Sequence, residues 1–123
     1  MTTKDGKLRI LMVDDSELIL TRASAGLTQA GFDVTTTTQT VGASRYLSNV
    51  DLVILDSVMP RLSGRETLRE LVQLKPDIRV LFSSGFSTEP LSPTEYPQVL
   101  GFLPKPYRME QLLQKVHEIL RAT

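Results

Sequence analysis

Short apolar runs, separated by segments with helical spacing or turn residues, recur along this 123-residue chain. Runs of β-branched and aliphatic residues bounded by turn residues are typical of strands buried on both faces of a parallel sheet. The second run is rich in threonine, which favours β structure but is polar, so we expect that strand to lie near a sheet edge. The predicted strands are Leu8–Val13, Phe32–Thr37, Asp51–Leu55, Ile78–Phe82 and Leu100–Leu103.

Apolar residues at helical spacing follow the first two strands. Ser16 is a predicted N-cap, and Gly31 suits the position just beyond the end of the same helix. The residues that we expect this helix to bury are Ile19, Ala23, Leu27 and Ala30. A second helix is predicted over Thr38–Asn49, where apolar residues recur at a weaker helical spacing.

Two further helices are predicted in the second half of the chain. Ser63 and Glu66 form a capping-box pattern, and the helix that they open should stop before Pro76, because the residue ahead of a proline disfavours the α conformation. Its inward residues are expected to be Leu68, Leu71 and Val72. The last helix is predicted from about Tyr107 to Leu120, with an apolar stripe along one side.

Alternation of strands and helices predicts an α/β fold, in which a doubly wound parallel sheet carries helices on both faces. Residues 86–99 break the alternation, because they contain Pro90, Pro93 and Pro97. Proline inside a helix costs about 3 kcal/mol. We therefore expect an irregular segment there, with at most a short helical turn, in place of a regular fourth helix. Residues 1–7 are expected to be a flexible lead, and residues 8–123 a single domain.

Acidic residues stand where two of the predicted strands end. Asp14 and Asp15 follow the first strand, and Asp56 follows the third. Ligands of open α/β sheets bind outside the carboxyl ends of the strands, so neighbouring strands would bring these carboxylates together. Converging carboxylates repel each other unless a cation lies among them, which indicates a hard, oxygen-liking ion such as Mg²⁺. The alternative is that all three are turn and cap aspartates.

The other strand ends add a hydroxyl and an amine. Ser83 follows the fourth strand and Lys105 the fifth. A carboxylate can attack a phosphoryl group and form an acyl phosphate, and phosphoryl transfer depends mostly on positioning and charge neutralisation. Mg²⁺, a lysine and a hydroxyl would supply that neutralisation. Each residue also has a simpler explanation, since Lys105 could be an ion-pair partner and Ser83 could cap a turn.

The composition narrows the possible functions. The chain has no cysteine, which excludes disulfides and cysteine-based zinc sites. Its formal net charge is zero and its basic residues are scattered, so we expect no nucleic acid binding by this domain. No apolar run approaches the roughly 20 residues that a membrane helix needs, and residues 1–7 lack the apolar segment of a signal peptide. A cytoplasmic domain that does not bind membranes is expected.

Taken together, these residues resemble the receiver domains of two-component response regulators. The similarity covers about Leu8 to Leu120. The stretches that carry it are Val13-Asp14-Asp15, Asp56 with Met59-Pro60 and Gly64, Ser83, and Lys105-Pro106. The resemblance implies a flavodoxin-like, five-stranded parallel sheet with strand order 2-1-3-4-5.

The resemblance also implies a phosphoacceptor site. Asp56 would be the residue phosphorylated, and Mg²⁺ would be bound by Asp15, by Asp56 and by the main-chain carbonyl of Val58. Asp14 would assist, through water. Lys105 would pair with the phosphoryl group, and the Lys105-Pro106 peptide bond would be cis.

Two more residues match positions of the family's domain that respond to phosphorylation. Ser83 takes the Ser/Thr place that closes onto a phosphoryl oxygen. Phe102 takes the place of the aromatic switch, although an ordinary half-buried sheet aromatic explains it equally well. Phosphorylation adds up to about two negative charges, so any switch would be a shift between two packings.

The function implied is that of a phosphorelay module. It would take a phosphoryl group from a histidine kinase or a histidine phosphotransfer protein, and would catalyse only its own phosphorylation and dephosphorylation. Leu81–Phe86 and Gly101–Tyr107 look more like receivers attached to hybrid histidine kinases than like chemotaxis regulators. A haloacid-dehalogenase-type phosphatase would need an acid two residues after its nucleophile, where this chain has Val58. A pseudo-receiver, which binds partners without phosphorylation, is the remaining alternative, although no acid or lysine of the pattern is missing.

Overall fold

A computed structural model describes residues 7–38, 49–56, 64–84 and 97–121 of the chain. In this part, five parallel strands form one sheet of order β2-β1-β3-β4-β5. The strands are β1 (Arg9–Val13), β2 (Asp33–Thr37), β3 (Leu52–Asp56), β4 (Val80–Ser84) and β5 (Val99–Pro104). The helices are α1 (Glu17–Gln29), α2 (Gly64–Leu74) and α3 (Met109–Arg121). The predicted flavodoxin-like topology is therefore confirmed, and β2 lies at an edge as expected.

Several predictions fall wholly or mostly on residues that are not described. Most of the predicted lead (1–7), of the helix predicted over Thr38–Asn49 and of the irregular segment predicted over 86–99 lies outside the described ranges. At the end of the last segment, Val99 is already the first residue of β5. Ser63, the expected cap of α2, lies outside the described ranges as well. Helix α2 itself is present and ends at Leu74, ahead of Pro76 as predicted.

The sheet separates two apolar layers. Alternate strand residues such as Met12, Ile54 and Leu81 pack with α1 and α3, on what we call the α1–α3 face. The intervening residues, among them Leu55 and Phe82, pack with α2 on the opposite α2 face. Every residue of β3 is buried, as expected for a strand covered on both sides.

Helix α1 has the predicted capping but a different rotation. Ser16 accepts a hydrogen bond from the Ile19 amide at 3.3 Å, and Gly31 has the positive φ of +102° that favours glycine beyond a helix end. The buried residues, however, are Leu20, Ala23 and Leu27, while Ile19 is half-buried and Ala30 is exposed. The expectation for Ile19 and Ala30 was wrong. The helix face that points at the sheet is the one that carries Leu20, Ala23 and Leu27, and Ala30 is the C-cap of the helix.

Several strand and helix boundaries differ by one or two residues from the sequence-based expectation, and the differences in β4 and α3 bear on the site. Strand β4 starts two residues later than Ile78 and continues through Ser84, because it pairs with β3 on one side and β5 on the other. Ser83 therefore lies within the strand, opposite Asp56. Helix α3 starts at Met109 instead of Tyr107, because the Arg108 amide donates to Gln111 Oε1 at 2.8 Å and the helix is capped there.

Candidate functional site

Polar residues from four strands meet at the carboxyl edge of the sheet. Asp14 follows β1, Asp56 is the last residue of β3, and Lys105 follows β5. Ser83 lies beside Asp56 in the register of β3 and β4. Because side chains alternate along a strand and both Leu55 and Phe82 are on the α2 face, Asp56 and Ser83 are directed to the α1–α3 face.

The structure brings the three predicted carboxylates together. Oxygen atoms of Asp14, Asp15 and Asp56 all lie within 4.8 Å of one another. Asp14 and Asp56 are each only 3% exposed, whereas Asp15 is exposed. Buried carboxylates at this separation repel each other, and oxygen ligands from several carboxylates are what Mg²⁺ prefers. The donor set therefore fits a hard divalent cation, with Asp15 open to solvent for its entry.

Lys105 supplies part of the positive charge that is needed to offset the three carboxylates. Its Nζ atom lies 2.8 Å from Asp14 Oδ2 and 3.3 Å from Asp56 Oδ2. Burial lowers the pKa of the ammonium group, but the hydrogen bond and charge of Asp14, followed by those of Asp56, outweigh burial and raise the pKa above its ordinary value. Lys105 is therefore a permanent cation at neutral pH, yet one ammonium group cannot neutralise three carboxylates.

Backbone contacts hold Asp14 in place. Its Oδ1 atom accepts a hydrogen bond from the Ser16 amide at 2.9 Å, and its own amide donates to Thr37 of β2 at 3.2 Å. The first contact ties the carboxylate to the start of α1, where backbone amides and the helix dipole favour negative charge. Asp14 can therefore orient Lys105 while that lysine also contacts Asp56.

Two hydroxyls are buried next to this charged cluster. Neither Ser83 Oγ nor the Tyr107 hydroxyl has a hydrogen bond of acceptable geometry with the described part of the chain. Burial raises the pKa of the Tyr107 phenol and the charge of Asp14 raises it further, while Lys105 and the nearby Ser83 hydroxyl partly offset that rise. Sequence reasoning identified Ser83 but missed Tyr107, whose only signal was a hydroxyl-bearing aromatic residue two positions after Lys105.

Phe102 lies on the other side of the sheet. Its ring stacks on Phe82, with centroids 6.0 Å apart and an interplanar angle of 19°, and both rings pack on the α2 face. The ring is half-buried. It does not share a face with Ser83, so the predicted role of Phe102 as a switch stays a prediction. The Lys105-Pro106 bond is cis, as the resemblance implied, while Val58 lies outside the described residues.

Among the residues that the structure describes, no helix is both long enough and apolar enough to cross a membrane.

Comparison with known proteins gives the family. The family model described as "Response regulator receiver domain" matches residues 10–117. The chain is 32% identical to the sensor kinase CckA of Brucella abortus over 97% of its own length, which is only 13% of that protein. It is 28% identical to the response regulator receiver protein CpdR of the same organism, over 93% of this chain and 98% of CpdR.

A solved structure shows the same fold. In the CheX-CheY-BeF₃-Mg²⁺ complex from Borrelia burgdorferi, the similar chain superimposes with a TM-score of 0.81 at 25% identity, over 96% of this chain and 94% of that one. The family match covers most of the sequence, and the fold and the acidic cluster agree with it. The chain therefore belongs to the response regulator receiver domain family.

Proposed function

We propose that this chain is a phosphoacceptor receiver domain, in which Asp56 takes a phosphoryl group from a histidine kinase or a histidine phosphotransfer protein. The observation that carries the proposal is the position of Asp56. This buried carboxylate ends the central strand β3, 3.3 Å from the Lys105 ammonium group and within 4.8 Å of the Asp14 and Asp15 oxygens. A carboxylate so placed can act as a nucleophile while neighbouring charges are neutralised.

The proposed reaction follows from this arrangement. An Asp56 oxygen attacks the phosphorus, the bond from phosphorus to the donor imidazole breaks, and the imidazole leaves with the electron pair and later takes up a proton. In this reaction Lys105, which contacts Asp56, would neutralise the oxygen that develops charge, and Ser83, beside Asp56 in the β3–β4 register, would donate its hydroxyl hydrogen to a phosphoryl oxygen. Bound Mg²⁺, held by Asp15, Asp56 and the Val58 carbonyl with Asp14 assisting, would neutralise phosphoryl oxygens.

The alternatives are less well supported. A pseudo-receiver needs no cationic partner for Asp56, yet Lys105 contacts both buried carboxylates. Turnover of external substrates by a haloacid-dehalogenase-type mechanism needs an acid two residues after the nucleophile, and this chain has Val58 there. A regulatory role agrees with the relatives, one named a sensor kinase and the other a response regulator receiver protein.

Intact-mass spectrometry tests the proposal. After incubation with acetyl phosphate, the wild type is expected to gain one phosphoryl group only when Mg²⁺ is present, and Asp56→Asn is expected to gain none. Asp51→Asn is the matched control, because Asp51 is also buried but precedes the first residue of the same strand, where it accepts a hydrogen bond from the Arg9 amide. Asp51→Asn should be phosphorylated like the wild type. A gain that persists in Asp56→Asn would place the chemistry on another residue.

A further inference from the structure

The unpartnered hydroxyls of Ser83 and Tyr107 call for an explanation. Buried polar groups in folded proteins almost always have hydrogen bond partners, and exceptions often mark functional sites. Here two such groups occur together, beside a charged cluster, and neither is satisfied by the described part of the chain. Ser83 is only 1% exposed, so its hydroxyl is largely shielded from bulk water.

Both hydroxyls are close to the proposed phosphoacceptor. Ser83 pairs with Asp56 across the β3–β4 ladder, and Tyr107 lies two residues after Lys105 with its ring packed on the α1–α3 face. Asp14, Lys105, Asp56 and the Ser83 hydroxyl are all among the groups that shift the pKa of the Tyr107 phenol, so the phenol lies near them. Its raised pKa, caused mainly by burial, keeps the phenol protonated at neutral pH. Tyr107 is therefore available as a hydrogen bond donor towards Ser83.

We propose that Tyr107 is a positioning residue, whose hydroxyl donates a hydrogen bond to Ser83 Oγ while Ser83 donates its own hydrogen to a phosphoryl oxygen being transferred to Asp56. A serine hydroxyl has one hydrogen to donate and two lone pairs that accept, so it can make both contacts at once. A hydroxyl that accepts a hydrogen bond becomes a better donor, because successive hydrogen bonds polarise one another. This role rests on the proposed function and extends it to a residue outside the acid, lysine and serine pattern.

The test is the rate of phosphorylation by acetyl phosphate in the presence of Mg²⁺. Tyr107→Phe removes the hydroxyl and keeps the ring, and we expect the rate constant to fall about fivefold, the factor supplied by one neutral hydrogen bond. Thr67→Val is the matched control. Thr67 also carries a buried hydroxyl without a partner in the described ranges, but it lies on α2 across the sheet, so the rate should not change.

A double-mutant cycle separates positioning from packing. Ser83→Ala should slow phosphorylation, and adding Tyr107→Phe to it should slow the reaction no further, because Tyr107 acts through the Ser83 hydroxyl. In Ser83→Thr, which keeps a hydroxyl, the effect of Tyr107→Phe should return. Equal rates for Tyr107→Phe and the wild type, or an effect that simply adds to Ser83→Ala, would overturn this role alone. A wild type that gains no phosphoryl group would overturn the proposed function and this role with it.

Discussion

Replacing Lys105 by methionine is expected to lower the free energy of unfolding by about 3 kcal/mol in metal-free buffer at pH 7, the low end of the cost of removing one partner of a buried ion pair. Methionine retains the length of the lysine stem, so the change removes mainly the charge. It leaves Asp14 and Asp56, each about 3% exposed, facing each other without their shared cation. Urea unfolding of the two proteins measures the difference.

Lys115→Met is the control for this substitution. Lys115 also contacts a carboxylate, Glu118 at 3.7 Å, but that pair is exposed on α3. Exposed ion pairs contribute about 0–1 kcal/mol, so the control should unfold much like the wild type. Equal losses in the two variants would mean that the Lys105 contacts contribute no more than an ordinary surface pair.

The pH dependence of stability gives an independent check on Lys105. Its pKa in the folded protein is raised, by Asp14 and Asp56 acting against burial, above the ordinary value of 10.5. A group with a raised folded pKa binds protons more tightly in the native state. Its contribution to stability is therefore fully present below the unfolded pKa and is lost as the pH rises through the folded pKa. The stability difference between wild type and Lys105→Met should be constant near neutral pH and should shrink above about pH 10.5.

Magnesium is expected to stabilise the wild type by about 2.7 kcal/mol when its concentration is 100 times the dissociation constant. The physical reason is that the cation relieves the repulsion among Asp14, Asp15 and Asp56, a site that exists only in the folded chain. Asp15→Asn should lose most of this increment, because it removes the one solvent-exposed carboxylate of the cluster. Without metal, Asp15→Asn should be at least as stable as the wild type.

Asp77→Asn controls for nonspecific effects of the salt. Asp77 is exposed in the turn that precedes β4, away from the carboxyl edge of the sheet. Unfolding curves recorded with and without MgCl₂ should show the full increment in this variant. The same increment in Asp15→Asn would mean that Mg²⁺ stabilises the protein somewhere other than the acidic cluster.

The sheet and the convergence of polar residues were predictable from sequence for a simple reason. Strands β1 and β3 are buried on both faces, so their sequences are continuous apolar runs that end abruptly in aspartate. In a parallel sheet those ends must meet at one edge. The grouping of Asp14, Asp15, Asp56 and Lys105 followed from this pattern and is present in the structure. The roles assigned to these residues remain predictions.

Features that depend on tertiary packing were not predictable. Whether Ile19 or Leu20 points at the sheet depends on how α1 rotates against α3, and the helical spacing of apolar residues in α1 fits both. The length of β4 is decided by its pairing with β3 and β5. This pairing extends the strand through Ser83 and Ser84, although serine has no strong strand preference. Burial of the Tyr107 hydroxyl likewise arises from the path of the chain after β5, which its residue type does not reveal.

Locating the phosphoryl group within the chain would identify the phosphoacceptor directly. Protein treated with acetyl phosphate and Mg²⁺ would be reduced with borohydride, which converts an aspartyl phosphate to homoserine, and its peptides sequenced by mass spectrometry. We expect homoserine at position 56 alone. Homoserine at Asp14, Asp15 or Asp51, or a phosphate that resists reduction and remains on Ser83, would contradict it.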